Sequence, residues 1–193
     1  MTHSRRTTLG LLGAALPLVA ARSASAAPMS PLPKAAEPKL YDKPGVEWVM
    51  DIVPVCSDPE PMGPAGDTTA ADGKRDVAWP ITCGYFTGRG IKGTVIPGGG
   101  DFPVTRPDGV EVVDALYRLK TDDGVQIIIH NRGLAYSEET FRLLPTFNVP
   151  GSKYAWLRES VFVATLTYPV PPAYAANLKA NGNGRLIQVY RLV

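Results

Sequence analysis

Between Val110 and Thr121 the side chains alternate. Val113, Ala115, Tyr117 and Leu119 fall on one face; Asp114, Arg118 and Lys120 fall on the other, with Val112 and Leu116 among them. A period of two marks a strand with one buried face. Asp122-Asp123-Gly124 follows, and an Asp-Gly pair supplies the positive φ that a tight hairpin turn needs. Val125 to Asn131 then returns as the partner strand. An antiparallel hairpin thus lies in the middle of the chain, and its unpaired edges demand further strands.

Candidates for those strands lie on both sides. Val46 to Val55 alternates and is rich in β-formers. Residues 57–76 hold Pro, Gly, Asp and Thr with almost no large apolar group, and read as a long exposed loop. Ile81 to Phe86 and Ile91 to Ile96 read as the next two strands, split by Thr87-Gly88-Arg89-Gly90. Pro97-Gly98-Gly99-Gly100-Asp101 and Arg106-Pro107-Asp108-Gly109 carry turn signatures. Ser137-Glu138-Glu139-Thr140-Phe141 reads as a short helix, with Ser137 as N-cap and two acids in its first turn. Tyr154 to Arg158 reads as a further helical turn. Ser160 to Tyr168 and Arg185 to Leu192 finish as strands.

Glycine and proline stand at 19 each, which suits many short elements better than long helices. No repeat of solenoid or propeller period is visible. The pattern predicts one all-β domain over residues 46–193: a small antiparallel β-barrel with one or two short helical turns. A barrel is preferred to a sandwich because closure removes exposed edges.

The N-terminus reads differently. Arg5-Arg6 precedes an uncharged apolar run, Leu9 to Ala21, and then Arg22 and the small residues Ser23 to Ala27. These are the parts of a twin-arginine export signal over residues 1–26, cut after the Ala24-x-Ala26 pattern. The run is too short to cross a ~30 Å hydrocarbon core as a permanent anchor. Residues 27–45 contain five prolines and predict a flexible linker. The expected location is periplasmic or secreted, and the expected partners of this segment are the twin-arginine export machinery and signal peptidase. The net charge of +2 includes no basic block, so no nucleic-acid partner is expected.

Several stretches together resemble the DUF3237 (UPF0311) family of bacterial and fungal proteins. They begin with Gly88-Arg89-Gly90-Ile91-Lys92-Gly93-Thr94-Val95-Ile96-Pro97-Gly98-Gly99-Gly100-Asp101-Phe102. Arg106-Pro107-Asp108-Gly109, Asp114-Ala115-Leu116-Tyr117 and Thr121-Asp122-Asp123-Gly124 follow. Asn131-Arg132-Gly133, Pro145-Thr146-Phe147, Tyr154-Ala155-Trp156-Leu157 and Ser160-Val161-Phe162-Val163 complete the series. The resemblance covers roughly residues 46–193. It implies a small antiparallel β-barrel and no settled activity. Leu116 and His130 stand where the family pattern commonly has arginine.

The candidate chemistry is sparse. Asp101 follows a glycine run that lacks the Lys-Ser/Thr and helix of a P-loop. It is either a turn aspartate bonding backbone N–H groups or a general acid or base at a barrel rim. Asp114 lies mid-strand, where aspartate is disfavoured, so it faces either solvent or a polar interior. Asn131 at a strand end either fixes a ligand oxygen or serves a turn. His130 is the one histidine left after removal of the signal, and by strand parity it lies on the face opposite Asn131. A lone histidine makes no multi-His metal site, so neither metal nor cofactor is expected. Phe102, Tyr117, His130 and Trp156 are candidates to line a pocket, each with a core or surface role as the alternative. Cys56 and Cys83 flank the 57–76 loop and either form one disulfide or remain free.

Two functions fit these residues. One is a barrel that binds a small apolar or aromatic molecule without turnover. The other is a cofactor-free isomerase, cyclase or lyase, with Asp101 or Asp114 moving a proton and Asn131 holding an oxygen. A structural role in the cell envelope is a third. The enzyme reading expects the carboxyls of Asp101 and Asp114 to converge on one aromatic-lined cavity.

Overall fold

The computed structural model describes residues 44–63, 76–137, 140–151, 153–178 and 183–193. The expected export signal and all but the last two residues of the linker lie outside them. Alternating sequence becomes strand throughout. In chain order these are β1 (Val46–Cys56), β2 (Glu60–Pro61), β3 (Val77–Gly88), β4 (Ile91–Asp101), β5 (Val104–Thr105) and β6 (Glu111–Thr121). They continue as β7 (Gln126–Ser137), β8 (Thr140–Asn148), β9 (Phe162–Thr167), β10 (Asn183–Gly184) and β11 (Leu186–Leu192). A 3-10 turn at Ala155–Leu157 and a four-residue helix α1 at Pro172–Ala175 complete the elements.

Eight long strands pair antiparallel in the ring order β1-β11-β9-β8-β7-β6-β4-β3, and β3 pairs back onto β1. The barrel is closed, as the sequence pattern predicts. β2, β5 and β10 are short additions at its margins. In the central hairpin Ala115 pairs with Asn131, Leu116 with His130 and Tyr117 with Ile129. Val113, Ala115, Tyr117, Leu119 and Thr121 are buried, while Leu116, Arg118 and Lys120 are exposed. The face assignment read from the sequence therefore holds.

Both ends of the ring are defined by this register. One end carries the β3–β4 and β6–β7 hairpins and the linker from β8 to β9. There the 3-10 turn buries Leu157, and Phe162 packs edge-on to Phe147 at 5.1 Å and beside Trp156 at 6.1 Å. Arg158 Nη1 donates to the Val149 carbonyl at 3.1 Å and ties the linker down. Apolar closure of this end is the continuation of the core. At the other end lie the last residues of β4 and β7 and the first of β3, β6 and β8. Outside the ring, α1 covers β1. The Tyr85 hydroxyl donates to the Tyr174 carbonyl at 3.0 Å, and the Tyr174 hydroxyl donates to Asp51 Oδ2 at 2.8 Å. Asp51 Oδ1 accepts from Trp48 Nε1 at 2.7 Å and from Gln188 Nε2 at 3.3 Å. These donors satisfy a carboxylate that is buried.

Two expectations need correction. The Pro97–Asp101 stretch is not a turn: β4 runs through it to Asp101. β4 takes four steps from Ile96 to Gly100 where β6 takes two from Arg118 to Leu116, so the extra residues form a bulge. Gly98 has φ +96°, and a Cβ on Gly99 would lie 2.5 Å from Tyr117 Cβ. Glycine is required there by backbone conformation and by close approach. Next, Ser137 and Thr140 do not begin a helix; Ser137 ends β7 and pairs with Thr140 of β8. Leu143, Pro145 and Phe147 are buried and alternate with exposed Leu144 and Thr146, a strand period that outweighs the capping pattern. Of the two alternatives for Cys56 and Cys83, the structure has both thiols free. Cys56 faces Ile81 within the core, whereas Cys83 is opposite Val55. Cys83 lines an outer cavity of about 260 Å³ with Tyr85, Asn177 and Leu178.

Candidate functional site

The open end of the barrel contains a cavity of about 120 Å³. Trp79 of β3, Phe141 of β8 and Tyr168 after β9 form aromatic walls; Val113, Leu166 and Pro103 add apolar surface. Asp101, Glu111 and Arg185 supply the charge. Arg185 is held between two rings, its guanidinium carbon 4.9 Å from the Trp79 centroid and 5.2 Å from that of Tyr168. Its Nη1 donates to the Asn183 carbonyl at 3.0 Å, and the Tyr168 hydroxyl donates to Asn183 Oδ1 at 2.9 Å. Stacking of this kind fixes the plane of a guanidinium.

Asp101 reaches the cavity because β4 continues to the barrel rim. Its Oδ1 accepts from the backbone N–H of Asp114 at 3.1 Å. Burial raises its carboxyl above the ordinary range; the Asp114 N–H and the Arg185 charge pull it partly back, and the Asp114 charge adds to the rise. Glu111 is raised as well, first by burial and then by the charge of Asp101, with Arg185 again opposing. Burial also raises the Cys56 thiol, against Arg185 and with Asp101. The cavity therefore holds two carboxyls that resist ionisation beside one fixed cation.

The other predicted residues separate by face. Asn131 is opposite Ala115, which is opposite Asp101. Asp101 and Asn131 thus share an inner row, with the smallest side chain of that row between them. Tyr117 also points inward and is fully buried. Asp114 and His130 lie on the outer wall, where His130 Nε2 and Asp114 Oδ1 are 2.5 Å apart and Arg132 Nε is 3.3 Å from Asp114 Oδ2. The two aspartates therefore do not converge: one carboxyl faces the cavity and the other a surface ion cluster. Phe102 is 46% exposed on the outside. Trp156 packs against the core at the sealed end. Leu116 and His130 are also outer-wall neighbours, paired across β6 and β7.

Trp79, Glu111, Phe141, Tyr168 and Arg185 were not singled out from the sequence. Glu111 was within reach, since it has the parity of Val113 and Ala115. Arg185 was not: its stacking partner Trp79 comes from the opposite side of the chain. A larger hollow of about 360 Å³ lies at the sealed end, between Lys92, Asp122, Asp123 and Lys153. Its charges already pair with one another, Lys92 with Asp122 at 3.4 Å and Lys153 with Asp123 at 2.7 Å. Lys153 holds the Asp123 carboxyl below its ordinary range. The smaller cavity is the better chemical site. Among the described residues no group of three or more His, Cys, Asp or Glu is arranged to hold a metal.

Comparison with known proteins agrees with the architecture. Residues 44–171 match the family model described as a protein of unknown function, DUF3237. A UPF0311 protein of Clostridium acetobutylicum is 35% identical over 101 residues, 44% of this chain and 64% of that protein, so the match spans just under two thirds of its length. A UPF0311 protein of Rhodopseudomonas palustris is 30% identical over 121 residues, 52% of this chain and 78% of the relative. Among solved structures, a protein of unknown function from Clostridium acetobutylicum superposes with a TM-score of 0.61 at 28% identity, covering 78% of this chain and all of that one. An enzyme from Penicillium herquei superposes with a TM-score of 0.57 at 20% identity, covering 79% of this chain and 96% of that one. That second likeness concerns the fold alone.

Proposed function

The chain belongs to the DUF3237 family, and from that premise we propose that it is an exported barrel that binds a small aromatic molecule at its open end. The observation that supports this most is the pairing of an aromatic wall, Trp79, Phe141 and Tyr168, with only three charged groups around one small cavity. Its volume is of the order of the ~150 Å³ that accepts a single benzene ring in an engineered core. Apolar lining with a few fixed polar groups is the usual composition of such sites. The export signal over residues 1–26 would put this binding in the periplasm or outside the cell.

Titration of the full chain with acetophenone and 4-ethylphenol tests the reading, followed by tryptophan fluorescence and by thermal shift. Saturable binding is expected, and Trp79→Ala should weaken it about tenfold through loss of ring contact. No saturable signal from any small aromatic up to its solubility would end the proposal.

A second reading rests on Asp101 itself. A half-buried carboxyl aimed into the cavity, with one oxygen anchored by a backbone N–H, suits a general acid–base group. Asp101 would take a proton from carbon next to a carbonyl and return one to the same carbon or its conjugate position. In D₂O this predicts deuterium exchange into the methyl group of acetophenone, followed by NMR, and loss of that exchange in Asp101→Asn. Exchange that persists in the variant would remove Asp101 from the role.

A further inference from the structure

Among the described residues, two side chains inside the barrel carry buried polar atoms with no hydrogen-bond partner. Asn131 is 1% exposed and Tyr117 is 2% exposed. Asn131 Nδ2, Asn131 Oδ1 and the Tyr117 hydroxyl all lack a hydrogen-bond partner. Buried amides and hydroxyls are normally paired, because leaving them bare costs free energy that an apolar side chain of the same shape would not. Leucine has nearly the shape of asparagine and phenylalanine that of tyrosine, so polar groups here oppose stability.

The position of the pair explains what they serve. Asn131 lies in the row Asp101-Ala115-Asn131, roughly 10 Å across three strands at the usual spacing. Tyr117 is two residues beyond Ala115 on the same inward face, the diagonal neighbour of Asn131 at roughly 7–8 Å. Ala115, the residue between the cavity's Asp101 and Asn131 in that row, carries the smallest side chain of the three. Tyr117 cannot shift backward, since the Gly99 backbone packs directly against its Cβ. Asp101 and Cys56 are near enough for their charges to act on the Tyr117 hydroxyl, which burial keeps protonated.

We propose that Asn131 and Tyr117 form an oxygen-holding site inside the barrel, reached from the open end past Ala115, for the neutral carbonyl or hydroxyl oxygen of an aromatic ketone or alcohol. This rests on the reading of the open end as an aromatic-binding cavity and specifies which aromatics it takes. A carbonyl oxygen has two lone pairs and accepts from the amide N–H and the phenolic O–H together. A ligand hydroxyl accepts from one and donates to Asn131 Oδ1. The site is uncharged, and no lysine or arginine is buried among the described residues. A carboxylate or phosphate would therefore be buried without a counter-ion, which excludes anions from this depth.

The test compares two ligands of nearly the same shape, acetophenone and ethylbenzene, which differ in one oxygen. Affinities are measured for the full chain, wild type and the Asn131→Leu/Tyr117→Phe double variant. The ratio of acetophenone to ethylbenzene affinity should fall at least tenfold in the double variant, with ethylbenzene binding held or improved. Melting in the absence of ligand should show Asn131→Leu at or above the wild-type Tm. An unchanged ratio overturns the oxygen site, whether an internal water or nothing occupies those atoms, and leaves aromatic binding at the open end standing. A wild type that binds neither ligand overturns both. If the double variant does not fold, Tyr117→Phe alone deletes one oxygen and should lower the ratio severalfold; no change there also overturns the site.

Discussion

The same eight strands frame both ends of the barrel, yet the ends are filled by opposite chemistry. At the sealed end Leu157, Phe147, Phe162 and Trp156 continue the core, and the charged groups there are salt-bridged on the surface. At the open end Asp101 and Glu111 are drawn partly out of water beside Arg185. One end contributes stability by burying apolar area. The other gives some of it up to keep ionisable and unpaired polar groups inside. The contrast singles out the open end as the candidate site without any motif, because polar groups are kept there at a cost to stability.

Three substitutions would break or sharpen that contrast. Leu157→Ala at the sealed end should cost about 3 kcal/mol, lowering Tm by about 9 °C for a domain of this size. Urea melts measure it, and aromatic affinity of the folded protein should not change. A small loss would mean the plug is not what holds the barrel. Asp101→Asn should act through pH. Its carboxyl ionises above its ordinary value of 3.8 when folded, so its stability contribution is complete below that value and is lost as pH rises through the folded one. Wild type and Asp101→Asn should therefore melt alike near pH 3, and the variant should gain on the wild type as pH rises. A gap that narrows with rising pH would contradict the burial assigned to Asp101. On the outer wall, His130→Ala removes a half-exposed partner of Asp114 and should cost under about 1 kcal/mol, with no effect on ligand affinity. A large loss of affinity would move the site to the outside.

The sequence was most legible where one face is buried and one is wet. Strand β6 reads directly, because each inward side chain from Val113 to Leu119 is apolar and most outward ones are polar. The same alternation gave the opposite faces of His130 and Asn131. Glycine and proline misled. Pro97 to Gly100 carries every mark of a turn, yet the ring geometry needs a bulge there to bring β4 past Tyr117. The capping pattern at Ser137 hides the strand over residues 140–148; proline cannot complete a sheet ladder, and in the barrel Pro145 sits opposite Asn131, while the β8–β9 register consists of the single pair Leu143 and Ala164. The residues that line the candidate site were least legible. Trp79, Arg185 and Tyr168 mean nothing apart, and only closure of the ring stacks them. Parity placed Asp114 on the right face but could not say which face enclosed the cavity.

Closure itself has a kinetic consequence. Strand β1 pairs with β11 through contacts such as Val46 with Leu192, nearly the full length of the domain apart in sequence. Contacts of that separation are slow to form. The ring cannot shut until residues 186–192 have left the ribosome, and until then β1 and β9 present open edges to other chains. A chain shortened by its last strand should therefore not lose a fraction of its stability but its solubility, and refolding of the intact chain should be limited by the meeting of its first and last strands.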